Sequence, residues 1–185
     1  MENCGDKTVG FIADAIVLVG HGAPALDTPS ALVSELKQLE IQRRQGKMCE
    51  MTPRELELDR LIRAWPRTPE TDSYKFGLEK LADKLAPKLG NLPLVIAYNE
   101  FCMPSVGDAI TSLVQSGAKH ITLMPTMFTP GGSHSELEIP EIIHELGKHH
   151  QGIRLTYAWP VDVEYLADFI AGHLKHGTYL GFNPA

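Results

Sequence analysis

Four short strand-like runs, separated by stretches of helical periodicity, constrain this chain more than any other feature. They are Ala15-Ile-Val-Leu-Val-Gly20, Pro93-Leu-Val-Ile-Ala-Tyr98, His120-Ile-Thr-Leu-Met-Pro125 and Ile153 to Trp159. The first, a short apolar run that ends in glycine, reads as a central strand, and the other three are expected as strands beside it. Helices are expected between them: Ser30 to Arg44 behind Pro29, with Leu32, Leu36 and Leu39 at helical spacing, then Thr52 to Trp65 and Tyr74 to Leu89. Thr52-Pro53-Arg54-Glu55 supplies an N-cap, a proline at the first helical position and a capping-box glutamate. Further helices are expected at Pro104 to Ser116, Ile139 to Lys148 and Val163 to His176, with Thr126 to Glu138 as a long loop. This alternation predicts an α/β fold: one domain over residues 1–185, with a four-stranded parallel sheet and helices on both faces.

One interval is too long. A strand-helix-strand unit needs roughly thirty or more residues, and the 34 positions from Glu100 to His134 fit one such unit. The 79 positions from His21 to Glu100 do not. Residues 30–72 therefore read as an extra helical hairpin laid over the first crossover.

Composition narrows the function classes. The net charge of -6 is spread along the chain without a basic block, so no nucleic-acid partner is expected. No apolar run approaches a bilayer span, and Asp14 interrupts the apolar stretch from Phe11 to Val19 without a basic segment ahead of it. No membrane association is expected. Cys4, Cys49 and Cys102 are odd in number and lack metal-site spacing, which suits a reducing cytoplasm. A GxxxxGK[ST] phosphate loop is absent from the sequence, so no nucleotide cofactor is expected.

In open parallel sheets, ligands bind beyond the carboxyl ends of the strands. His21 follows the first strand, Glu100 the second, and His134 lies in the loop after the third. Two imidazoles and a carboxylate form a borderline nitrogen/oxygen set suited to Co, Ni, Fe or Zn. Taken singly, each residue has an ordinary reading: His21 as a loop or capping residue, Glu100 as a cap for the helix near Pro104. His144, His149, His150, His173 and His176 read as solvated residues on or near helix ends.

Three blocks together resemble a family. Val17-Leu-Val-Gly-His-Gly22, Ala97-Tyr-Asn-Glu-Phe-Cys-Met-Pro-Ser105 and Met124-Pro-Thr-Met-Phe-Thr-Pro-Gly-Gly-Ser-His134, followed by Glu138-Ile-Pro140, are similar to the CbiX/SirB sirohydrochlorin chelatases. That resemblance implies ATP-independent insertion of a divalent metal into sirohydrochlorin or a related tetrapyrrole. The metal is a substrate; Co²⁺ is favoured by the family name, with Fe²⁺ or Ni²⁺ as alternatives. It further implies that His21 and His134 are the metal-binding catalytic histidines, that Glu100 is a third ligand or proton acceptor, and that the domain forms a homodimer. The helical hairpin and Glu138, where an Asp is usual, depart from the pattern. Neutral histidine suits the role, because its unperturbed pKa of about 6.5 lets it both ligate and accept protons.

A macrocycle would also need an apolar wall and groups for its carboxylates. Met103, Met127 and Phe128 are candidates for the wall, with core packing as the equal alternative. The backbone around Gly131, Gly132 and Ser133 is a candidate for the carboxylates. Arg43, Arg44, Arg54 and Arg63 read first as a solvated helix face and second as further carboxylate partners. Two other functions remain open: a non-catalytic metal or tetrapyrrole carrier, and a phosphate-handling hydrolase using His21. Gly20 stands where the latter wants an arginine.

Overall fold

The computed structural model describes residues 13–46, 48 and 50–177; Phe11, Ile12, Cys4 and Cys49 lie outside them. Strands β1 (Ala15–Gly20), β2 (Leu94–Tyr98), β3 (His120–Pro125) and β4 (Arg154–Tyr157) form one sheet in the order β2-β1-β3-β4. Every pairing is parallel, with Val17 of β1 level with Val95 of β2 and Leu123 of β3. All six residues of β1 are buried, as its unbroken apolar sequence predicts for the strand between two neighbours.

Side-chain alternation along the strands sorts the core into two faces. Val17, Val19, Ala97, Ile121 and Leu123 point to one face, where α4 (Val106–Gln115) adds Val106, Ala109, Ile110 and Leu113, and α5 (Ile139–His149) adds Ile139. Leu18 and Tyr98 point to the other, against Leu78 and Ala82 of α3 (Ser73–Leu85). The parallel four-stranded sheet with helices on both faces is thus observed.

Helix α1 (Ser30–Gln45) and helix α2 (Pro53–Arg63) pack on each other as the hairpin. Leu36, Leu58 and Ile62 close a third core cluster with Phe101, so the hairpin seats on the loop after β2. Burying a side chain of this size stabilises by about 1.5–3 kcal/mol, enough for three to hold the hairpin down. The capping box at Thr52 and Glu55 forms, and Glu55 is also fully buried against Arg43 Nε at 2.8 Å. A second capping box, Ser105 with Asp108, starts α4.

Two elements differ from expectation. β4 is shorter than residues 153–159, because it pairs only with β3 at the sheet edge and Pro160 cannot extend the ladder. The loop expected over 126–138 ends in a wide π-helical turn, His134–Glu138, that runs directly into α5. Glycines 131 and 132 mask that turn in the sequence, and the N–H of Ile139 reaches back to the carbonyl of His134. The last helix, α6 (Val163–His176), has no buried residue. Among the described residues, no helix is long and apolar enough to cross a membrane.

Candidate metal centre

The centre is built where two chain segments touch backbone to backbone. Beyond the strand ends, the N–H of Asn99 donates to the carbonyl of Gly20 and that of Glu100 to the carbonyl of His21, both at 2.9 Å. Gly22 adopts φ +89, and a Cβ there would stand 1.9 Å from the carbonyl oxygen of Glu100. Only glycine allows this approach. Phe101, at φ 57, then turns the chain so that its ring enters the hairpin core.

His21, Glu100 and His134 each place one ligand-capable atom within 4.8 Å of the others. The two imidazoles meet edge to face, with ring centroids 4.4 Å apart. Nδ1 of His21 lies 2.6 Å from the carbonyl of Gly22, which can only accept, so that Nδ1 carries a proton. Nδ1 of His134 lies 2.8 Å from Oε2 of Glu138, an acceptor, and 2.9 Å from Nδ2 of Asn99, a donor. These contacts engage Nδ1 on both rings and leave each Nε2 as the nitrogen that could face a cation. Tyr74 holds the first loop from outside, its hydroxyl accepting the N–H of His21 at 2.7 Å.

Glu138 gathers three of the contacts behind the histidines. Its Oε2 also accepts from Asn99 Nδ2 at 2.9 Å, and its Oε1 accepts from Arg44 Nη2 at 2.8 Å. Burial, the largest single influence, opposes ionisation of Glu138. Hydrogen bonds from His134 and Asn99, attraction to His134 and the Arg44 guanidinium outweigh it and hold the pKa down at about 2. Glu100, 9% exposed, accepts from Lys37 Nζ at 2.8 Å. Burial works against the Lys37 charge, but Glu100 and Glu40 overcome it and raise the lysine's pKa.

Beside the centre lies a cavity of about 490 Å³ between the hairpin and the start of α5. Leu36, Met51, Phe101, Leu137 and Ile142 give it apolar walls, with Arg43 and Arg44 among its polar ones. The sequence candidates fall differently around it. Ser133 lines the cavity, whereas Gly131 and Gly132 are exposed beside it and the Gly131 N–H is already given to Glu136. Met127 packs partly buried against the sheet core, Phe128 is half-buried, and Met103 is exposed.

The hairpin arginines mostly serve the protein itself. Arg54 pairs with Glu35 and Glu57 on the outside of the hairpin. Arg63 grips Asp59 and donates to the carbonyls of Asn99 at 2.8 Å and Cys102 at 3.0 Å. Arg67, just past α2, pairs with Asp72 and donates to the carbonyls of Ala23 and Phe101. Asn99, Glu138, Lys37 and Tyr74 were not singled out from the sequence as site residues; Arg44 was named there as a second-choice carboxylate partner, and the carboxylate it meets is that of Glu138. Only the His134-to-Glu138 spacing of one helical turn carried a signal, hidden because a loop was expected there.

Comparison with known proteins bears on the family and the fold. The CbiX family model matches residues 70–171, more than half of the chain, a span that includes Glu100 and His134. A sirohydrochlorin cobaltochelatase of Priestia megaterium is 33% identical over 66 residues, 36% of this chain and 21% of its own length. A chloroplastic sirohydrochlorin ferrochelatase of Arabidopsis thaliana is 28% identical over 100 residues, 54% of this chain and 44% of its own length. The chain thus spans less than half the length of these curated relatives. A solved CbiX protein of Marinobacter aquaeolei VT8, assigned to cobalamin biosynthesis, shares the fold, with a TM-score of 0.50 and 20% identity over 87% of this chain and 91% of its own. On the extent of the family match, more than half its length, the chain belongs to the CbiX family.

Proposed function

We propose that this domain is a metal chelatase that inserts a divalent ion, without ATP, into sirohydrochlorin or a closely related ring. The carrying observation is the convergence of His21, Glu100 and His134 within 4.8 Å at the open end of the sheet. Insertion joins M²⁺ to a ring bearing two pyrrole N–H groups and releases two protons. In this reading the Nε2 atoms of His21 and His134, when unprotonated, first hold the ion and then accept protons from the ring. Glu138 keeps the His134 ring in that tautomer, as carboxylates do for metal-binding histidines. Glu100 adds the negative charge that a divalent ion needs in a half-buried site.

The adjoining cavity supports a conjugated substrate with polar edges: Leu36, Met51, Phe101, Leu137 and Ile142 offer apolar contact, and Arg44, half-exposed and paired with Glu138, stands in the lining where a ring carboxylate could share it. Relatives named for cobalt and for iron support a first-row ion without choosing between them; Co²⁺ is our first choice. An absorbance time course of sirohydrochlorin with Co²⁺, Fe²⁺ or Ni²⁺ tests the reading. Catalytic amounts of protein should speed insertion of at least one ion over the uncatalysed rate. Stoichiometric ring or metal binding with no acceleration would instead mark a carrier.

We infer further that the domain pairs with a second copy through α6. Val163, Ile170 and Leu174 form one stripe of that helix, Phe169 and Tyr165 lie round its flank, and all five are exposed. Sedimentation should give a dimer for the wild-type chain and a monomer for Phe169→Glu. A monomeric wild type at tens of micromolar would sink the pairing.

A further inference from the structure

Helix α1 sends a cation onto the carboxylate that faces the histidines. Lys37 Nζ lies 2.8 Å from Oε1 of Glu100, and that same oxygen is 4.0 Å from Nδ1 of His134. The ammonium therefore sits on the charge that a divalent ion would use. It also has other partners in reach. Oε2 of Glu40 is 3.0 Å away on the same helix, and the Phe101 ring lies beneath it with its centroid at 4.6 Å. An ammonium that lost Glu100 would keep an ion pair and an aromatic face, so leaving that carboxylate costs it little.

We propose that Lys37 is a displaceable counter-ion of the metal centre, holding Glu100 while the site is empty and ceding it to the incoming ion. The proposal rests on the reading of His21, Glu100 and His134 as the metal site. Two physical needs meet in this arrangement. Glu100 is nearly buried, and a nearly buried carboxylate without a partner is costly. A chelatase must also release its ion to the ring, so a site that bound metal too firmly would stall. A lysine that competes for Glu100 serves both needs: it neutralises the empty site and weakens the hold on the ion. The hairpin thereby acts as a specificity and affinity element of the reaction as well as a wall of the cavity.

A purely structural lysine and a competing one predict opposite signs. If Lys37 only fastened α1, removing it would loosen the centre and weaken metal binding. If it competes, removing it tightens binding. Co²⁺ titration of the metal-free protein, followed by the visible ligand-field absorbance of the ion, reads the difference without any turnover. Lys37→Met, which keeps the stem over Phe101, should tighten Co²⁺ binding by about tenfold, the order expected when a unit charge close to the ion is removed in partly solvated surroundings. Lys37→Arg should stay near wild type. Lys37→Gln serves the same purpose should the Met variant fail to fold. Unchanged or weaker binding in the charge-free variant overturns the proposal. His21→Ala and His134→Ala in the same titration separate the two levels: if neither weakens Co²⁺ binding, the site reading itself falls and takes the counter-ion with it.

Discussion

His134→Ala is expected to slow metal insertion by roughly 10²-fold or more, and His21→Ala to do the same, with the fold intact in both. Each ring supplies an Nε2 that nothing else near the centre replaces: Glu138 and Asn99 face the other nitrogen of His134, and Gly22 faces that of His21. The two losses should not add, because a site that has lost one nitrogen no longer uses the other. Stability should hardly change, since both rings are only partly buried and the core clusters are built by other residues. Initial insertion rates beside denaturant midpoints check both halves. Wild-type rates in both variants would show that the centre is wrongly assigned.

Gly22→Ala should be the most damaging single methyl group in the ligand loops. It must carry a Cβ at φ +89 and push back the carbonyl of Glu100, now 1.9 Å from where that carbon would sit. Backbone strain and steric overlap together should cost on the order of 3 kcal/mol. The displaced carbonyl belongs to a proposed ligand, so metal binding should fall along with stability. Gly90→Ala is the internal control: its φ is also positive, but a Cβ there meets nothing within 4 Å. A Gly22 variant no less stable than the Gly90 one would mean that the two loops move apart easily.

β1 was readable because it is an apolar run cut off by glycine, and the three proposed ligands because each follows a strand in the sequence. Topology then brings those ends together. What surrounds the ligands was not readable in the same way. Lys37 and Glu100 are 63 positions apart, and Arg44 and Glu138 are 94 apart; their pairing depends on how the hairpin lies on the sheet, which no local periodicity encodes. Arg63 illustrates the limit. As a charge on an amphipathic helix it suggested solvent or substrate, yet it turns inward to main-chain carbonyls that have no side-chain signature. Met127 likewise had two fair readings, and the half that won was packing against the sheet core.

Those inward-turned guanidiniums bear on anyone wishing to pare the domain down or to exchange its parts with a relative. Cutting out residues 30–72 would look harmless from the sheet alone, because β1 and β2 would remain adjacent. The cut would also strip Arg63 and Arg67 from the carbonyls of Asn99, Phe101, Cys102 and Ala23, the main chain on either side of two proposed ligands. A graft that imports a new α1 to retune the ring or the ion would have to leave that pair of arginines where they are. The hairpin is one module by sequence but two by mechanics: an exchangeable α1, and a segment from α2 to residue 67 that is part of the chassis.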